Sequence, residues 1–313
     1  MPTILVTGAG GQIGSELTPA LRERYGRDAV IASGPEVVDD PGPPFEVLDV
    51  TDRDRLREVV DDHGVDRVYH LAAILSAKGE DDPQLAYRVN VDGLRHVLEV
   101  AREGGLERLI VPSSIAVFGP DTPDNPGERT VLWPTTMYGI SKVVLELLAD
   151  YYYRTYDLDV RGVRYPGILS WKTRPGGGTT DYAVEAFYAA LESGAYTYFV
   201  REDTMLPMMY MPDAVRAMLE LAEADAGDLR FRCEYNVGAL AFTPRELTAA
   251  IREHVPDFEA TYEPDERQAI ADSWPDRIDD TAAREDWGWQ PAYDLESLAA
   301  DMIENLRRKL RVD

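Results

Sequence analysis

The sequence predicts an α/β protein built on a doubly wound parallel sheet, followed by a smaller region of mixed structure. Three observations lead to this prediction. Strand-like and helix-like segments alternate through the first half of the chain, as expected of parallel strands joined by helices on both faces. A glycine-rich turn separates the first strand from the first helix. Beyond Pro166 the pattern becomes irregular and richer in glycine and proline, which indicates a change of architecture.

The hydrophobic spacing predicts each element in turn. Short apolar runs predict five strands in the first half, over residues 3–8, 29–33, 65–73, 106–114 and 159–168. Apolar residues at helical spacing predict four intervening helices, over residues 13–24, 52–62, 82–105 and 138–156. The second half adds predicted helices over 212–225, 244–255 and 295–310, and a strand over 235–238.

The composition excludes several classes of protein. The chain carries 57 acidic and 32 basic side chains, a net charge of −25, and such a surface is unsuited to nucleic acid. Only four basic residues are lysines, and with the acidic excess this predicts adaptation to high salt; a GC-rich genome that prefers arginine codons is the alternative explanation. No apolar run approaches the roughly 20 residues of a membrane span, and no signal peptide is evident. We therefore expect a cytoplasmic protein without a membrane partner.

Cysteine and histidine usage argues against disulfides and bound metals. Cys233 is the single cysteine, which excludes an internal disulfide and a cysteine-rich zinc site. The four histidines are scattered and lack the spacing of metal ligands. We predict no metal site.

The turn "VTGAGGQIG" has the composition of a dinucleotide site. Gly8, Gly11 and Gly14 allow a tight turn, a close backbone approach to a pyrophosphate and close contact between helix and sheet, and Gln12 and Ile13 lie between them. NAD-binding proteins commonly place an acid at the end of the second strand, where this chain has Gly34. No lysine or arginine follows that would suit a 2′-phosphate, so NAD is favoured as the cofactor.

Two residues of "VLDVTD" are further candidates for cofactor binding. Asp49 and Val50 lie where the chain would meet the adenine. Asp49 could equally serve at the N-terminus of the helix over 52–62.

A second motif, "YGISK", places Tyr138 and Lys142 one turn apart on one helix face. The ordinary tyrosine pKa of about 10 is too high for a base at neutral pH, and a neighbouring ammonium is expected to lower it. The stretch "VPSSIAVFG" ends a strand at the carboxyl edge of the predicted sheet and delivers Ser113 and Ser114, of which Ser114 suits a hydrogen bond to the reacting oxygen. We predict that Ser114, Tyr138 and Lys142 are catalytic.

Together these motifs resemble the extended short-chain dehydrogenase/reductase family over essentially the whole chain. The resemblance is carried by the GxxGxxG turn, "HLAA" at 70–73, Asn90 in "VNVDG", the serine and YxxxK. It implies a Rossmann-type domain in which Tyr138 is the acid/base, Lys142 binds the cofactor ribose and lowers the tyrosine pKa, and Ser114 positions the substrate oxygen. It also implies cofactor contacts at Leu71, Ala72, Ala73, Asn90 and Tyr165.

The domain organisation follows from these motifs. Residues 1–168 are predicted to form the dinucleotide-binding domain, and residues 169–313 to form mainly the substrate-binding region. Segments near 205–240 are predicted to return to the first domain.

Four long segments are similar to one subgroup, the short-chain type of L-threonine 3-dehydrogenase. They span residues 75–80, 174–188, 203–213 and 264–289. The resemblance implies NAD-dependent oxidation of L-threonine at its β-hydroxyl to 2-amino-3-oxobutanoate. It also implies a homodimer that packs the helix of Tyr138 and the preceding long helix against a partner.

The substrate carboxylate is expected at "TRPGGGTTD", where glycines and a helix start suit a small anion. The resemblance implies that Arg174 and Thr180 hold the carboxylate and that Ser76 and Trp274 line the same pocket. In the alternative, Thr179 or Thr180 only caps the helix and Arg174 is a surface charge.

Two other functions stay open from sequence. Sugar-nucleotide epimerases and dehydratases share the Ser–Tyr–Lys set, and ten basic residues between 170 and 280 would suit a nucleoside diphosphate. A non-catalytic redox sensor that binds the dinucleotide would normally lack the tyrosine or the lysine, and both are present.

Overall fold

Six parallel strands form the central sheet of the computed structural model, which describes residues 1–36 and 42–311. Their order is β3-β2-β1-β4-β5-β7, and eight further short strands lie outside this sheet. The strands are β1 (Ile4–Thr7), β2 (Val30–Gly34), β3 (Phe45–Val47), β4 (Arg67–His70), β5 (Arg108–Ile110), β6 (Ser113–Ser114), β7 (Val160–Arg161), β8 (Val163–Tyr165), β9 (Gly167–Leu169), β10 (Ala195–Tyr198), β11 (Leu206–Tyr210), β12 (Tyr235–Asn236), β13 (Leu240–Phe242) and β14 (Glu259–Tyr262).

Helices connect the strands and cover the sheet. They are α1 (Gly14–Tyr25), α2 (Arg53–His63), α3 (Ser76–Asp81), α4 (Pro83–Tyr87), α5 (Leu94–Gly104), α6 (Met137–Tyr156), α7 (Tyr182–Glu192), α8 (Met211–Glu223), α9 (Pro244–Arg252), α10 (Arg267–Ala271), α11 (Thr281–Trp287) and α12 (Leu295–Leu310). Short 3₁₀ turns occur at Arg27–Ala29 and Ile115–Val117, and a π-helical segment at Arg88–Gly93 joins α4 to α5. None of the described helices is both long enough and apolar enough to span a bilayer.

Alternate residues of the central strands face opposite sides of the sheet. Ile4 and Val6 pack in one apolar cluster with α1 and α8, whereas Leu5 packs in another with α2, α5 and α6. Helices therefore cover both faces of a parallel sheet, and the predicted doubly wound α/β fold is confirmed.

The prediction of one continuous strand over residues 159–168 is wrong. The chain forms β7, β8 and β9 there, and these belong to three different sheets. Gly162 lies at the first break, where a Cβ would collide with the carbonyl oxygen of Val111. The chain thus leaves the central sheet at Gly162 and carries β8 alongside β6, which brings Tyr165 opposite Ser114.

The second half of the chain contains its own apolar core. Helices α7, α9 and α12 pack there with β10, β11 and β13. Within 205–240, α8 contributes to the same cluster as α1, and β12 pairs with β8. The division of the chain into domains at residue 168 stays a prediction.

Candidate active site

A cleft with an empty volume of about 1030 Å³ opens at the carboxyl ends of the central strands. This is the edge at which open α/β sheets bind ligands. Most of the residues predicted to bind cofactor or substrate line this single cleft: Gly8, Gly11, Gln12, Ile13, Gly14, Leu71, Ala73, Ser76, Ser114, Tyr138, Lys142, Tyr165, Thr180 and Trp274.

Two predicted cofactor residues line a smaller neighbouring cavity instead. Ala72 and Asn90 border this space, whose empty volume is about 270 Å³, together with Lys142. The Asn90 amide is fully engaged: its oxygen accepts from the Ile74 amide at 2.8 Å, and its nitrogen donates to the Ile74 carbonyl at 3.0 Å and to Ser141 Oγ at 3.2 Å. Asn90 therefore ties the segment after β4 to α6.

The two candidates for the adenine contact lie just beyond β3, outside both cavities. Asp49 is exposed, and its Oδ1 accepts from the Thr51 amide at 2.9 Å and from the Thr51 hydroxyl at 2.8 Å. The helix cap of α2 is Asp52, whose Oδ1 accepts from the Arg55 amide at 3.0 Å. Val50 is buried.

Tyr138 is the second residue of α6, whose first turn is fixed by Thr136. The Thr136 hydroxyl accepts from the Gly139 amide at 3.1 Å and caps the helix. Burial raises the pKa of Tyr138 to about 12, and a hydrogen bond with Ser114 opposes that rise. The expectation that this pKa lies below its ordinary value is therefore wrong, because desolvation of the phenolate dominates.

Lys142 lies behind Tyr138, buried on the same face of α6. Its Nζ is 5.5 Å from the centre of the Tyr138 ring and donates to the Pro112 carbonyl oxygen at 2.7 Å. Burial lowers the pKa of Lys142 to about 8, and the charge of Glu146 opposes that fall. The ammonium is thus desolvated but held in a definite position.

The glycine-rich loop before α7 is occupied by the chain's own carboxylate. Asp181 Oδ2 accepts from the amides of Gly177 and Gly178, at 2.8 and 2.6 Å. Burial raises the pKa of Asp181, and these two hydrogen bonds oppose the rise. These two amides, which the sequence offered to a substrate anion, are therefore already satisfied.

Arg174 is predicted to hold the substrate carboxylate, but its side chain does not line the cleft. It pairs with Glu192 and lies 4.3 Å from the centre of the Tyr188 ring, with 59% of its side chain exposed. In this conformation Arg174 matches the alternative of a surface charge.

The far end of the cleft is lined by small hydroxyl groups and one indole. Ser76 Oγ lies 3.5 Å from Thr179 Oγ1, and both residues are buried. Thr180 packs where a side chain at Gly167 would otherwise lie. Trp274 also lines the cleft and packs against the apolar core of the second half.

The chain matches a known protein family. Residues 4–238 match the family model described as the NAD dependent epimerase/dehydratase family. The chain belongs to that family. The predicted resemblance to extended short-chain dehydrogenase/reductases is thereby confirmed.

Individual proteins and solved structures match over almost the whole chain. An uncharacterized epimerase/dehydratase of Staphylococcus aureus (strain MRSA252) is 46% identical, covering 99% of this chain and 98% of its own. An L-threonine dehydrogenase of Cupriavidus necator in its holo form is 54% identical, with a TM-score of 0.95 and coverage of 97% and 100%. A monomeric L-threonine 3-dehydrogenase from a metagenome is 48% identical, with a TM-score of 0.95 and coverage of 98% and 99%.

The residues of the glycine turn fit the dinucleotide after which this family is named. Gly8 has a φ of 68°, in the left-handed region that favours glycine, and a Cβ at Gly14 would collide with the Gly8 carbonyl oxygen. The backbone can therefore approach a pyrophosphate at the start of α1. Gly34 is the buried last residue of β2, and a Cβ there would meet the Glu36 carbonyl oxygen and the Phe45 ring at 3.6 and 3.9 Å, so this position offers no carboxylate to a ribose.

The sequence motifs did not identify several residues that line the cleft, nor Glu146, which lies behind it. Pro112, Ile115 and Ile168 lie next to recognised motifs, but their exposure to the cleft depends on the positions of β6 and β9, which lie outside the central sheet. Glu146 lies one turn beyond Lys142 and contacts residues on β6 and β8. Its i, i+4 spacing from the lysine was a signal that could have identified it.

Among the described residues, no group of three or more His, Cys, Asp or Glu side chains is arranged to hold a metal ion.

Proposed function

We propose that this protein catalyses the NAD-dependent oxidation of L-threonine at its β-hydroxyl, giving 2-amino-3-oxobutanoate. The observation that carries the proposal is the single cleft in which Ser114, Tyr138 and Lys142 adjoin a small hydroxyl-lined end. The threonine dehydrogenases that match this chain at 48–54% identity support the same reaction.

The reacting groups have separate tasks in this proposal. Ser114 hydrogen-bonds the threonine β-oxygen, and Tyr138 removes its proton as the C–O bond becomes a carbonyl. Lys142 stabilises the phenolate and holds the cofactor ribose. When bound, NAD⁺ supplies the acceptor for the hydride that leaves the β-carbon. The released 2-amino-3-oxobutanoate can lose carbon dioxide to give aminoacetone.

The substrate headgroup requires partners at the hydroxyl-lined end. Ser76, Thr179 and Thr180 offer hydroxyl groups there, and Trp274 adds an apolar wall. Arg174 contributes to carboxylate binding only after it exchanges Glu192 for the substrate. The half-buried Asp181 carboxylate holds the loop of Gly177 and Gly178 through its two hydrogen bonds.

A sugar-nucleotide epimerase or dehydratase is the competing function within the family. Such an enzyme must neutralise a diphosphate, usually with several cations. Among the described residues that line the cleft, Lys142 is the only lysine or arginine. Many of the arginines between 170 and 280 are paired elsewhere, as Arg201 is with Asp272 and Arg245 with Glu202. This charge distribution favours a small zwitterion over a nucleotide sugar.

An absorbance assay tests the proposal. The protein is mixed with NAD⁺ and either L-threonine or a UDP-sugar, and the formation of reduced cofactor is followed. We expect reduction with threonine alone. Reduction with neither substrate, together with epimerisation of the sugar, would refute the proposed activity.

A tyrosine variant with a matched control tests the role of the phenol. Tyr138→Phe should lower kcat by about 10²- to 10⁴-fold, because the general base is lost. Tyr156→Phe removes an exposed hydroxyl at the other end of the same helix and should leave kcat unchanged. Retained NAD binding in both variants, measured by calorimetry, separates lost chemistry from lost binding.

A further inference from the structure

A buried carboxylate lies directly behind the reacting groups, on the helix that carries them. Glu146 is one turn beyond Lys142 on α6, and both side chains are buried. A buried carboxylate is costly unless it is paired and hydrogen-bonded. Both carboxylate oxygens of Glu146 accept hydrogen bonds, and their donors identify the parts of the site that this carboxylate holds.

Arg164 and Ser113 hold the two oxygens of Glu146 from adjacent strands. Arg164 donates through Nε to Oε1 at 2.8 Å and through Nη2 to Oε2 at 2.7 Å, with only 2% of its side chain exposed. Ser113 Oγ donates to Oε1 at 2.5 Å. Ser113 and Arg164 are register partners across β6 and β8, so one carboxylate clamps the ends of two strands to the helix.

The clamped segment carries two groups that the proposed reaction uses. Ser113 lies between Pro112 and Ser114. The Pro112 carbonyl oxygen accepts a hydrogen bond from Lys142, and Ser114 is hydrogen-bonded to Tyr138. The position of Pro112 and Ser114 therefore depends on the bond from Ser113 to Glu146.

Glu146 is the carboxylate whose charge acts on Lys142, from one turn away on α6. On α6 the lysine faces Tyr138 and Glu146, and from the end of β4 it faces His70. Burial, followed by the charge of Lys142, lowers the pKa of His70 to about 3, so His70 is neutral and contributes no charge. Glu146 thus lies between two buried cations, Lys142 on α6 and Arg164 on β8, and is ion-paired with the arginine.

We propose that Glu146 is a positioning residue of this site, whose carboxylate anchors the Pro112–Ser114 segment and keeps Lys142 an ammonium. The role in turnover rests on the proposed function, whereas the effect on the charge of Lys142 does not. The carboxylate does not contact the cleft and acts only through Ser113 and Lys142.

The small number of lysines makes the charge of Lys142 directly measurable. The protein, labelled with ¹³C at lysine Cε, gives four lysine signals, and the signal missing from Lys142→Arg identifies residue 142. The signal of Lys142 is titrated in wild type, Glu146→Gln, Arg164→Gln and Ser113→Ala. Unchanged signals from the other three lysines show that a variant is folded.

The variants should move the titration midpoint in opposite directions. Glu146→Gln removes the counter-ion and should lower the midpoint by at least about one pH unit. Arg164→Gln removes a competing cation and should raise it. Ser113→Ala keeps the carboxylate and should leave it near the wild-type value. An unchanged midpoint in both Glu146→Gln and Arg164→Gln, or a shift of the same sign in both, would overturn the proposal.

The pH–rate profile separates this inference from the proposed function. In Glu146→Gln the break in kcat/KM should move to lower pH together with the midpoint of Lys142. A shifted midpoint with an unshifted break would leave the link between Glu146 and Lys142 intact and contradict the use of Lys142 in the reaction. A structural role alone would lower stability and move neither.

Discussion

The Lys142 ammonium lies 5.5 Å from the centre of the Tyr138 ring, on the same face of α6, where the lysine is buried and the tyrosine half-buried. Burial acts on them in opposite directions, because it disfavours whichever form is charged. It raises the pKa of the phenol to about 12 and lowers the pKa of the ammonium to about 8. The active combination, phenolate beside ammonium, is therefore a minor protonation state at neutral pH.

This pair of pKa values predicts the pH dependence of threonine oxidation. Below pH 8 the lysine is charged and the phenolate fraction rises about tenfold per pH unit, so kcat/KM should rise with it. Above pH 8 the loss of ammonium offsets the gain of phenolate, and the profile should level off. Initial rates between pH 6 and 10 measure this. A plateau that begins below pH 7 would contradict the assignment.

Arg174 and Glu192 provide a paired test of carboxylate recognition. Arg174→Ala should raise the KM for threonine by about tenfold or more, since a charge-assisted hydrogen bond is lost, with NAD affinity unchanged. Glu192→Gln removes the partner that holds Arg174 away from the cleft and should lower that KM. Steady-state kinetics and NAD calorimetry measure both effects. If Arg174→Ala leaves the KM for threonine unchanged, the arginine is only a surface charge.

The glycine turn predicts a sharp difference between two glycine variants. Gly14→Ala places a Cβ against the Gly8 carbonyl oxygen and should weaken NAD binding by at least about tenfold. Gly34→Ala, the matched control, meets its nearest atoms at 3.6 and 3.9 Å and should bind NAD as the wild type does. Calorimetric titration decides between them, with circular dichroism as the check on folding. Equal affinity of both variants would mean that the turn does not contact the cofactor.

The outer face of α6 predicts association into a homodimer. Ile140, Leu147 and Tyr151 are exposed at helical spacing, and Leu147 is 65% exposed. Leu85 and Tyr87 are exposed on α4, which packs beside α6. Leu147→Arg should convert the dimer into a monomer with retained fold. Sedimentation velocity measures the mass, and a wild-type monomer, like the monomeric relative, would refute the prediction.

Local signals in the sequence accounted for the parts of the fold that depend on neighbours along the chain. The helix predicted over 295–310 is α12 within those bounds, because Asp294 and Ser297 form a capping box before an amphipathic run. The GxxGxxG and YxxxK motifs lie on one cleft because parallel strands bring their carboxyl ends to one edge.

Features that depend on contacts between distant residues could not be predicted from the sequence. The break at Gly162 depends on the carbonyl of Val111, and the conformation of Arg174 depends on Glu192 across a loop and a helix. Spacing along α6 brought Tyr138 and Lys142 together but carried no information on their burial, which sets both pKa values. The filling of the glycine loop by Asp181 likewise depends on a local fold that composition alone does not define.

The transfer of hydride from the threonine β-carbon tests the account most directly. L-Threonine that carries deuterium at this carbon is incubated with the protein and NAD⁺, and the reduced cofactor is weighed by mass spectrometry. The account predicts that each reduced cofactor gains one deuterium. Reduced cofactor without deuterium, or no reduction by threonine at all, would contradict it.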